Sequence, residues 1–171
     1  MKSRILFAAG FLISIAFPAI AAPTQKMPSI DEIQKYIDEY GGKAALDRYF
    51  NCAESSPNGL GYNAIIHGGK RGVDLDFEIE KYSDGCVAEN LTWALGSEMQ
   101  VSPSAVLPLV ETSIGTYTCL PFLSADAPKS VNLAIKRRSK KALESVHDPA
   151  LRSAKNKCLA VVNQAIEGIS K

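Results

Sequence analysis

Between positions 73 and 79 the chain alternates: Val73, Leu75, Phe77 and Ile79 are apolar, Asp74, Asp76 and Glu78 stand between them, and Glu80 follows. Period two is the signature of a strand with one buried face. A strand needs neighbours to take up its backbone N–H and C=O groups, and only 116–120 offers a second extended candidate. Read as a helix, at about 100° per residue, the same positions place Leu75, Ile79 and Tyr82 on one face and Val73 and Phe77 nearly opposite. Asp74 and Glu78 then share one flank, and Asp76 and Glu80 the other. A helix buried between two neighbours carries this pattern, so the stretch fits a layered helical fold as well as an isolated strand.

The flanking sequence is helical in character. Ser29 and Glu32 have capping-box spacing, and Ile30, Ile33, Tyr36, Ile37 and Tyr40 recur at helical intervals. Gly41 and Gly42 end that helix, and 43–50 forms a short second one. Pro57, Asn58, Gly59 and Gly61 mark a turn-rich loop, after which 62–66 makes a helix of about two turns, stopping at His67, Gly68 and Gly69. A further helix over 86–99 carries Val87, Leu91, Ala94 and Leu95 on one stripe. Ser102 and Pro103 open a short helix through Val110, with Pro108 acting against its continuation. The segment 111–126 reads as an irregular connection.

From Pro128, the residues Val131, Ile135, Ala142 and Val146 fall near one face of a long helix. Asp148 and Pro149 start the last helix, lined by Leu151, Ala154, Cys158, Val161, Val162, Ala165 and Ile169. The expected fold is all-α: a compact array of about six to seven short antiparallel helices ending in a longer helical hairpin. A short β piece is allowed near 73–79 or 116–120.

The first residues have the layout of a secretory signal peptide: Lys2 and Arg4, an apolar run from Ile5, then Ala19 and Ala21 at small-residue positions. The expected leader is 1–21, leaving 22–171 as a single helical domain in the periplasm or outside the cell. Without Lys2 and Arg4 there are 17 basic side chains against 18 acidic ones, which gives no general attraction to nucleic acid. The charge is uneven, however: 22–100 holds 13 acidic and 7 basic residues, and 101–171 holds 5 acidic and 10 basic. Cys52, Cys86, Cys119 and Cys158 in an exported chain imply two disulfides. Three connectivities are open, and pairing in chain order is the expectation.

Motifs for chemistry are sparse. Asp74, Asp76, Glu78 and Glu80 imitate the ligand rhythm of a calcium loop, but Ile79 stands where the turn glycine belongs and Gly85 where the last acid belongs. Those four acids read as a solvated face and a candidate partner surface. The cysteines lack metal-ligand spacing, and neither G-x-S-x-G nor S-x-x-K occurs. His67 and His147 are far apart, and HGGKRG from His67 departs from a phosphate loop at Ala64 and Arg71. The basic run from Lys136 to Lys141 reads as a solvated helix face, with binding to an anionic polymer or lipid as the weaker alternative. No catalytic residue, cofactor or metal is assigned.

Ile66 with Gly68, Ser83 with Asp84, ENLTWALG over 89–96, SPSAVLPLV over 102–110 and the two late cysteines together resemble small exported, helical, uncharacterised proteins of Gram-negative bacteria. The likeness spans about 29–160. It implies a stack of short helices, with 73–79 helical, and an envelope location. With the leader, cysteines and uneven charge, the expected role is non-enzymatic binding of an envelope partner, a protein or a polymer. An immunity or inhibitor protein against a periplasmic toxin is its concrete form, and an envelope hydrolase without a linear motif is the alternative.

Overall fold

The computed structural model describes residues 27–50, 52, 60–112, 114–121 and 127–170. The expected leader, 1–21, and most of the turn-rich loop lie outside the described residues.

Ser29 caps α1 (Ile30–Tyr40): its hydroxyl accepts from the Glu32 N–H at 3.2 Å while the Glu32 carboxylate accepts from the Ser29 N–H at 2.7 Å. This reciprocal closure of two free donors is what the sequence spacing anticipates. Gly41, at φ 86, turns the chain into α2 (Gly42–Tyr49). There follow α3 (Leu60–Ile66), α4 (Lys70–Glu80), α5 (Gly85–Val101) and α6 (Pro103–Val106). Two 3-10 turns, Leu107–Glu111 and Gly115–Cys119, lead to α7 (Lys129–Glu144). A last 3-10 turn, Pro149–Leu151, enters α8 (Arg152–Ser170).

Two apolar clusters form the core. The first gathers Ile33, Ile37, Leu46, Phe50, Tyr62 and Ile65 with Leu91 of α5. The second gathers Leu95 and Met99 of α5 with Val106, Leu107, Leu143, Cys158 and Val162. Helix α4 lies between them and serves both: Leu75 and Ile79 enter the first cluster, Val73 and Phe77 border or enter the second. The alternation at 73–79 is therefore helical, because the segment has two core faces rather than one. Among the described residues there is no strand, and most of 116–120 falls in a 3-10 turn.

The array has eight α-helices among the described residues, the eighth being 70–80, and the expected 103–110 helix is a short α-helix followed by a 3-10 turn. Pro108, lacking an amide N–H, stands where the α-helix gives way to 3-10. The buried stripe of α7 also differs. Val131 is exposed, whereas Ser139 and Leu143 are fully buried. Contacts with α8 and α5 orient the helix through Leu143 and the following Val146, and Ser139, one turn before Leu143, falls inside that face. Its hydroxyl stays satisfied by donating to the Ile135 carbonyl at 3.4 Å. In α5, Gly96 permits a close crossing: a Cβ there would stand 2.4 Å from the Leu120 carbonyl oxygen.

Cys52 is joined to Cys86, and Cys119 to Cys158, with Cα separations of 6.1 and 5.1 Å. The chain-order pairing holds, and it gives each core cluster its own covalent tie.

Candidate functional site

Gly69 begins α4 at φ +58, a conformation that suits glycine, and this turn sets α4 beside α6. Between them lies an open groove of about 550 Å³. Its walls are Val73 and Phe77 on one side and Ala105, Pro108 and Leu109 on the other. Lys70, Asp74, Ser102 and Ser104 also line it and supply its polar groups. The Lys70 ammonium donates to both Asp74 oxygens at 2.9 Å. Both partners are well exposed, so the pair contributes at most about 1 kcal/mol and its charges remain available to a ligand.

Glu98, on α5 next to the groove's Ser102 and Gly69, is completely enclosed, and neither carboxyl oxygen has a partner in hydrogen-bonding geometry. Burial pushes its pKa to about 7, with the Ser102 hydroxyl and the Gly69 backbone close enough to oppose that rise. Asp76 is enclosed on the other side of α4, with one oxygen unpartnered. Burial raises it to about 8, and the negative charge of Glu80 adds to the effect. Asp76 in turn raises the Tyr62 phenol, already lifted by burial, while Asn90 opposes that shift.

The four acids of the alternating stretch are thus dispersed. Asp74 is exposed on the groove, Glu80 is exposed at the end of α4, and Glu78 is half-buried. Asp76 corrects the reading of a wholly solvated acidic face: at 1% exposure it belongs to the core and cannot form part of a partner surface. The helical turn of about 100° per residue points successive acids in different directions. HGGKRG is a helix–helix turn in which Lys70 pairs with Asp74 and Arg71 with Asp31 of α1. Neither His67 nor His147 lines the groove; both are exposed.

Glu98 escaped the sequence reading although a signal for it exists. Leu91, Ala94, Leu95, Glu98 and Met99 occupy one helical stripe, and an acid in such a stripe is either an error of register or a buried group.

Comparison with protein-family models, with curated proteins and with solved structures finds no match. Among the described residues, no helix is long and apolar enough to cross a membrane.

Proposed function

We propose that this is an exported, non-enzymatic helical protein that binds a protein partner in the cell envelope, acting in its most concrete form as an immunity or inhibitor protein against a periplasmic toxin. The observation that carries the reading is the groove between α4 and α6: apolar on both walls, open to solvent and edged by the exposed carboxylate of Asp74. Such a groove suits an apolar anchor side chain of a partner, with a neighbouring cation on Asp74. The two disulfides fit an oxidising compartment.

Affinity purification from envelope extract should recover a stoichiometric protein partner, and Ala105→Arg, which fills the groove, or Asp74→Lys should each release it. Repeated recovery of no partner, or capture indifferent to both substitutions, overturns the proposal.

One observation favours the alternative of an envelope hydrolase: Glu98, with a pKa of about 7, lies beside the groove-lining hydroxyl of Ser102. A carboxylate poised near neutrality is suited to take a proton from a hydroxyl. On that reading Ser102→Ala and Glu98→Gln would each abolish hydrolysis of peptidoglycan, ester or peptide substrates without unfolding the protein. Absence of turnover by the intact protein would remove it.

A further inference from the structure

The basic run of α7 does not disperse into ion pairs. Among Lys136, Arg137, Arg138, Lys140 and Lys141, a single pair is formed among the described residues, Lys140 with Glu144 at 3.9 Å. Arg138 and Lys141, one turn apart, line a cleft of about 490 Å³ between α7 and the end of α5, with Gln100, Val101, Ala142 and Ser145 as their companions and no acidic side chain among the described residues. These cations are not needed to neutralise the carbonyls ending α7, because the Lys155 ammonium already donates to the Glu144 and Val146 carbonyl oxygens at 3.1 and 2.7 Å. Helices α7 and α8 pack mainly on each other, on α5 and on the 3-10 turns.

The cleft is bordered by apolar surface as well. Val101, one of its lining residues, is 52% exposed. A guanidinium fork, an ammonium and an amide facing one space match the oxygens of a phosphate ester. The exposed Val101 beside them matches a phosphate that carries a hydrocarbon body.

We infer that the α5–α7 cleft, centred on Arg138 and Lys141, is a site for the phosphate headgroup of anionic lipid, by which the protein adheres to a membrane surface. This site is separate from the α4–α6 groove and stands or falls independently of it.

The test is sedimentation of the protein, purified in its naturally processed form from an exporting host, with phosphatidylglycerol-containing and with pure phosphatidylcholine vesicles. Inorganic phosphate and soluble polyphosphate serve as competitors. Binding to the anionic vesicles alone is expected, weakening with salt. The double substitution Arg138→Gln with Lys141→Gln should lower the partition constant about 30-fold, from the loss of two surface cations. The matched pair Lys136→Gln with Arg137→Gln should lower it less than about threefold if the cleft, not diffuse charge, carries the interaction. Inorganic phosphate should compete only weakly, having no apolar body.

Equal losses from the two pairs would overturn the inference, as would equal binding to neutral vesicles. So would binding of polyphosphate without binding of vesicles, which would identify a polymer-binding surface instead. Arg137, Arg138 and Lys141 are exposed and Lys136 is half-buried, and unchanged circular dichroism and melting would establish that loss of binding is not loss of fold.

Discussion

Asp76 and Glu98 together shape how stability depends on pH. In the unfolded chain they titrate at their ordinary values of 3.8 and 4.5, and in the folded chain at about 8 and about 7. The folded protein therefore retains protons that the unfolded chain has lost, and stability falls as pH rises through that window. Below about pH 4 this penalty is absent, and above about pH 8 it is complete. Asp76→Asn should leave stability nearly unchanged at about pH 4 and raise it by on the order of a few kcal/mol at about pH 8, read from urea midpoints at the two values. Glu98→Gln should act in the same direction, more weakly, with its effect complete near neutrality. A wild-type midpoint that rises over this range would contradict the burial of both acids.

Helix ends and crossings set the next scale. Ser29→Ala removes one half of the capping box and should cost about 1 kcal/mol by denaturant titration. Two glycines test opposite consequences of the same substitution. Gly96→Ala places a methyl 2.4 Å from the Leu120 carbonyl oxygen, so α5 and the segment crossing it must separate. A loss of about 1–3 kcal/mol is expected. Gly168→Ala in α8 meets nothing within 4 Å and should gain about 0.5–1 kcal/mol from helix propensity. At this scale the sequence was largely readable: the cap at Ser29, the break at Gly41 and the start at Pro103 are local chemistry, and each lies where its residues demand. The face of α7 was not, since the apolar positions Val131, Ile135, Ala142 and Val146 gave no sign that Ser139 and Leu143 would be the enclosed pair until α5 and α8 packed against them.

Across the whole molecule, the two disulfides divide the labour. Cys119 and Cys158 are fully enclosed, whereas Cys86 is exposed and Cys52 half-buried. Graded reduction followed by thiol labelling and mass spectrometry should modify Cys52 and Cys86 first. The bridges span separations of 34 and 39 residues, so chain entropy assigns each about 3–4 kcal/mol. Loss of the first should lower the melting temperature before the second becomes reducible. Simultaneous labelling of all four cysteines would mean that the two halves open together.

The candidate groove was the least legible feature, because its walls come from positions 73–77 and 105–109, and neither segment has a motif that points to a binding groove. Only Asp74 among the acids anticipated from the sequence lines it, and Glu98 becomes notable only when its stripe is seen to be buried. Sequence by itself determined most of the helical starts and stops and the even cysteine count, because capping, backbone restriction and cysteine number are properties of neighbouring residues or of composition. The chain-order disulfides were an expectation that the fold confirmed by bringing those particular pairs together. Tertiary structure alone decided that VDLDFEI is a helix with two core faces, that Asp76 is inside and Asp74 outside, and that the basic residues of α7 border a cleft. Those outcomes depend on which neighbours occupy each side of a helix, and burial, unlike a cap or a turn, is fixed only when distant segments meet.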